Sequence, residues 1–127
     1  TTKPYFDFAQ RTYEHRDSLV NLIRSLRADG KSIYGYGAST KGNVILQWCG
    51  FTSADITAIG EVNPDKFGCV TPGSNIPIIS EEEVKNQKPD YMIVLPWHFK
   101  NGIIQREQEY MKSGGKFIFP LPYIQII

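Results

Sequence analysis

Apolar residues in this chain fall into two spacings. Leu19, Leu22, Ile23 and Leu26 recur at i, i+3, i+4 and i+7, which sets them on one face of a helix beginning near His15. Asp29-Gly30 ends that helix, because glycine takes the left-handed conformation of a C′ residue without a Cβ clash. Short, mainly apolar runs follow at Ile33-Tyr34, at Ile56 to Val62, at Ile76 to Ile79, at Tyr91 to Pro96, at Lys116 to Phe119 and at Tyr123 to Ile127. Runs of this kind suit short strands buried on both faces, as in parallel sheets. Pro77 cannot donate to a ladder and so places its run at a sheet edge.

The segments between these runs read as helices. Val44, Ile45, Leu46, Trp48 and Cys49 make one that is apolar on most sides, and Gly50 stops it. Ser80-Glu81-Glu82-Glu83 is a capping box whose carboxylates complement the positive end of a helix dipole, and Pro89 closes that helix. Asn101 caps a further helix in which Ile103, Ile104, Tyr110 and Met111 share a face, ended by Gly114-Gly115. Strands alternating with helices predict a single α/β domain, Rossmann-like, with a mainly parallel sheet and helices on both faces. Residues 1–16, with Pro4, Tyr5, Phe6 and Phe8, read as an aromatic lead-in or linker to this domain.

The first strand runs into Gly35-Tyr36-Gly37-Ala38-Ser39-Thr40-Lys41-Gly42-Asn43. Gly35 and Gly37 permit a tight turn and close approach of a ligand. Ser39 and Thr40 open the next helix, whose free N–H groups favour an anion, and Lys41 adds a positive charge there. The ligand this predicts is a phosphate or diphosphate. The dinucleotide fingerprint would need glycine where Thr40 stands, and a P-loop needs the order glycine, lysine, Ser or Thr, so neither motif is complete. The turn also reads as an ordinary structural turn with a helix cap.

Two other strand ends carry candidate chemistry. Glu61 closes the second strand a little over twenty residues after the glycine turn, the spacing at which dinucleotide folds place an acid on ribose hydroxyls. A carboxylate at a strand end facing solvent is the plainer reading. Trp97-His98-Phe99 follows the strand at Tyr91, outside a carboxyl edge where α/β folds bind ligands. There His98 offers one donor and one acceptor to a phosphate or sugar, and Trp97 or Phe99 a stacking face for a base. Aromatic core packing and a locally satisfied histidine are the alternatives. The long irregular stretch from Asn63 to Gly73 is rich in turn residues, and loops of this length tend to be functional or poorly ordered.

A chain of 127 residues with 41% hydrophobic residues suits one domain with a real core. Its formal net charge of +1 gives no electrostatic case for nucleic acid or an acidic membrane surface. No segment reads as a signal peptide or membrane span, and a cytoplasmic protein is expected. Cys49 and Cys69 form no CxxC pair, so Cys49 is expected to be a buried thiol and no metal site is predicted.

Several blocks occur together in one order: the glycine turn from Gly35, Glu61-Val62-Asn63-Pro64-Asp65-Lys66-Phe67-Gly68, Thr71-Pro72-Gly73, Ile76-Pro77-Ile78, Leu95-Pro96-Trp97-His98-Phe99, Gly114-Gly115-Lys116 and Phe119-Pro120-Leu121-Pro122. From about Asp17 to Ile127 they resemble the C-terminal domain of S-adenosylmethionine-dependent sugar C-methyltransferases. The resemblance implies one part of a three-part enzyme of deoxysugar biosynthesis, the other parts being a small zinc-binding domain and a methyltransferase domain upstream. It implies that this domain helps hold a nucleotide-linked keto-sugar, whose carbon beside the ketone is deprotonated and then methylated. Gly35, Gly37, Ser39, Thr40, Lys41, Glu61, Asn63, Trp97 and His98 are the residues expected at that site. The methyl donor, the zinc and the catalytic base belong outside it, so this domain is expected to bind but not to catalyse, with no catalytic residue and no cofactor of its own. An independent NAD- or nucleotide-binding module using Glu61 on an adenosine ribose, and an interaction domain with a vestigial cleft, stay open beside it.

Overall fold

A computed structural model describes the backbone of residues 3–121 and 123–127, and the side chains of that set apart from residues 3–11 and Thr40. Six strands form one sheet: β1 (Ile33–Tyr36), β2 (Ile59–Glu61), β3 (Ile78–Ser80), β4 (Tyr91–Val94), β5 (Lys116–Phe119) and β6 (Gln125–Ile126). Their spatial order is β3-β2-β1-β4-β5-β6. All neighbours pair parallel except β6, which returns antiparallel along β5. The chain leaves β1 towards β2 and β3, then crosses back to β4 on its other side. That reversal makes the β1–β4 boundary a topological switch point, where α/β sheets open a crevice for ligands. Pro77 precedes β3, which is an edge strand as its sequence requires.

The helices are α1 (Lys3–Ala28), α2 (Thr40–Cys49), α3 (Glu81–Asn86), α4 (Lys100–Arg106) and α5 (Gln108–Lys112), with 3-10 turns at Pro64–Lys66 and Trp97–Phe99. Two apolar layers sandwich the sheet. On one face Leu19 and Ile23 of α1 and Leu46 and Cys49 of α2 pack on Ile33, Ile59, Ile93 and Ile118. On the other, Val84 of α3 and Ile103 of α4 pack on Tyr36, Met92, Val94, Phe117 and Phe119. Residues of the central strands alternate between these layers, which is why β1, β4 and most of β5 are apolar at successive positions. Burial pushes the Cys49 thiol up to about 11, so it behaves as a small core residue.

Two helix boundaries differ from the sequence reading. Helix α1 starts at Lys3 rather than near His15. Its apolar spacing is confined to the part lying on the sheet, and the pattern does not register the earlier turns. The His15 imidazole donates from Nε2 to the Pro120 carbonyl at 2.6 Å, tying α1 to the end of β5. The residues before it continue for about 18 Å at 1.5 Å per residue. The helix after the Trp-His pair begins at Lys100, with Asn101 inside its first turn instead of capping it. It also breaks at Glu107, giving α4 and α5, although Ile103, Ile104, Tyr110 and Met111 do join one apolar cluster. Among the described residues no helix is long and apolar enough to cross a membrane.

Candidate functional site

At the carboxyl edge of β1, Gly37 takes φ +78 and the chain turns into α2. A Cβ on Gly37 would come within 3.0 Å of Pro96, so this position needs glycine for both its conformation and its neighbour. Gly35 has a different role from the ligand approach its position suggested. It lies inside β1, and a Cβ there would stand 2.7 Å from the Ile59 side chain on β2. Gly42 likewise lets α2 seat directly on Leu95. Ser39 is the N-cap of α2, its Oγ accepting the Gly42 N–H at 3.0 Å. The N–H groups of Thr40 and Lys41 stand at the free end of that helix, next to the switch point.

Glu61 holds this turn in place. Its buried carboxylate accepts the Ala38 N–H at 2.8 Å through Oε2, and the Val62 and Asn63 N–H groups at 3.1 and 3.2 Å through Oε1. The Lys66 ammonium donates to the Ala38 carbonyl at 3.2 Å, holding the other side of the same residue. Asn63 caps the 3-10 turn at Pro64 by accepting the Asp65 N–H. The stretch from Asn63 to Gly73 is therefore a set of hydrogen-bonded turns, extended by Thr71 Oγ1, which accepts the Ile76 N–H at 3.0 Å.

A cleft of about 340 Å³ opens beside the turn, lined by Tyr36, Gly37, Glu61, Glu81, Phe99 and Arg106 among others. Sequence reasoning did not single out Tyr36, Glu81 or Arg106. Glu81 looked like one of three dipole-complementing carboxylates, yet it joins an ion network. It accepts from Lys85 at 2.8 Å and from Arg106 at 3.0 Å. Lys85 also pairs with the buried Glu107 at 2.8 Å, where α4 breaks. Burial alone would lower the Lys85 pKa, but the hydrogen bonds it donates to Glu107 and Glu81, with their charges, outweigh burial and hold it above its ordinary value. Arg106 Nη1 donates to the Tyr36 hydroxyl at 3.4 Å. Burial first, and then the Glu107 and Glu81 charges, push that hydroxyl up to about 12, so it is a neutral donor and acceptor at ordinary pH. A polar residue at one end of α4 facing an acid at the start of α3 was the available signal, but their 25-residue separation hid it.

Trp97, His98 and Lys41 lie apart from this cleft. The Lys41 ammonium sits 5.8 Å from the centre of the Trp97 ring. Trp97 packs against the α1–α2 layer, with its indole Nε1 buried and without a partner among the described residues. His98 is exposed and meets the Phe99 ring at a 44° tilt with centroids 4.2 Å apart, lining a second depression with Lys100 and Leu121. Phe99 borders both depressions. The Lys100 ammonium lies over the Phe119 ring and donates to the Gln125 amide oxygen. Among the described residues no group of three His, Cys, Asp or Glu side chains could hold a metal ion.

A family model described as the C-methyltransferase C-terminal domain matches residues 1–122. C-methyltransferase NovU of Streptomyces niveus is 39% identical over 123 residues, covering 97% of this chain and 29% of that relative. The chain thus spans less than a third of the curated relative it matches.

Proposed function

This chain belongs to the family of C-methyltransferase C-terminal domains, and from that premise we propose that it holds the nucleotide diphosphate of a sugar while an upstream part of the full-length enzyme methylates the sugar. The observation that carries the reading is the start of α2. Ser39 caps the helix, the amides of Thr40 and Lys41 are left at its positive end, and this end stands at the switch point between β1 and β4. Lys41 has no carboxylate within ion-pair distance among the described residues, so its charge is available to an anion.

The domain's part in the reaction is binding and orientation. In our reading the methyl donor is S-adenosylmethionine and belongs to the upstream part; no residue of this chain is assigned to it or to the base. Helix α1 supports a join at the ligand side, because it passes the end of β5 at His15 and its N-terminal half leads on from there.

The test is amide chemical-shift mapping of the 127-residue chain with thymidine, uridine, cytidine and adenosine diphosphates. At least one should move Ser39, Thr40 and Lys41 most strongly. Hydrogen bonds to charged groups contribute about 1.5–3 kcal/mol, so Lys41→Ala should weaken that ligand about tenfold or more. Silence of these three amides towards all four compounds would end the reading.

A further inference from the structure

Resting on that reading, we propose that the cleft beside the glycine turn takes an uncharged, hydroxylated ring of the nucleotide sugar, and that the diphosphate stays outside it at the start of α2. The charges lining and backing the cleft are already balanced. Glu81 and Glu107 face Lys85 and Arg106 in one network, and Glu61 is held by three N–H groups with Lys66 bonded to the same turn. A diphosphate placed there would meet two carboxylates and no unpaired cation. Hydroxyl groups fit the same atoms. Glu61 Oε2 accepts a single hydrogen bond from Ala38 and has a lone pair left, and the Tyr36 hydroxyl both gives and accepts. Arg106, with one guanidinium nitrogen on Tyr36 and another on Glu81, presents further N–H groups at the rim.

The apolar part of the cleft suits a ring. Phe99 is 62% exposed and forms one wall, a flat face of the kind that covers the C–H side of a sugar. The two subsites are joined by chain. Gly37 and Ala38 line the cleft, and Ser39 begins the cap of α2, so a ring and the phosphate ester attached to it would span them. The ring is the pentose or the hexose, since both carry this chemistry.

Three probes separate these possibilities by amide shifts on the 127-residue chain: inorganic pyrophosphate, the four nucleosides thymidine, uridine, cytidine and adenosine, and methyl α-glucoside. Pyrophosphate is expected to move Thr40 and Lys41 and to leave Gly37, Val62 and Gly102 unmoved. A nucleoside should move the second set if the pentose enters, the glucoside if the hexose does. Phe99→Ala should weaken that ring probe at least fivefold without changing pyrophosphate affinity, and Lys41→Ala should do the reverse. If nucleoside diphosphates bind at α2 while Gly37, Val62 and Gly102 ignore every ring probe, the cleft assignment fails and the diphosphate reading survives. Pyrophosphate moving the cleft set would also overturn it. No response to any probe would sink both.

Discussion

The Glu61 carboxylate accepts the Ala38 N–H at 2.8 Å, joining the end of β2 to the turn after β1. The acid at the ribose-binding spacing is thus first a structural brace for the glycine turn. Two further N–H groups depend on it. Glu61→Ala should leave three donors without their acceptor and cost about 1–3 kcal/mol. Urea unfolding of the variant checks this, and an unmoved midpoint would refute the brace. Glu61→Gln is expected to destabilise as well, because its amide nitrogen cannot accept from Ala38 or the loop amides.

Gly42→Ala sets two effects against each other. Alanine favours a helix interior over glycine by up to about 1 kcal/mol. Against this, the added methyl would overlap Leu95 Cβ beneath α2, and overpacking of this kind costs about 1–3 kcal/mol. The overlap is expected to win, lowering the melting temperature, and to shift the α2 amides. A variant more stable than the parent would show that α2 moves off Leu95 freely.

Asp90 carries a pH dependence. Its Oδ2 accepts the Ser32 N–H at 2.8 Å and the Ser32 hydroxyl at 3.2 Å, linking the residues that enter β1 and β4. The Ser32 backbone hydrogen bond, foremost among the causes, holds this carboxyl below its ordinary value of 3.8. A folded-state value below the unfolded one stabilises above 3.8, and the contribution is lost as pH falls from there through the folded value. The stability gap between the parent and Asp90→Asn should therefore be widest near neutrality and close below pH about 4. A gap that stays constant across this range would exclude the carboxylate as its source.

The chain on its own is expected to transfer no methyl group to any nucleotide sugar and to show no heat of binding with S-adenosylmethionine. Titration calorimetry and a methyl-transfer assay on the 127-residue chain check this together. Tight binding of that donor would reassign the glycine turn from the sugar nucleotide to the methyl donor.

Local sequence determined most of the architecture. Strand runs buried on both sides, Pro77 at an edge, the Ser39 cap and the Ser80 capping box with its Glu83 N–H are each decided within a few residues, because backbone conformation and hydrogen-bond supply act at that range. The block order from Gly35 to Pro122 likewise pointed to the family that the comparison identifies. What only the tertiary structure decided is which distant side chains meet. Glu61 turns inward onto Ala38, Gly35 makes room for Ile59, and Glu81 finds Arg106 and Lys85. His98 and Glu61, at ends of different strands, line different depressions. Strand ends share an edge by topology, but a side chain's direction from that edge depends on pleat, register and the helix packed above it. None of these is written in the spacing of one segment.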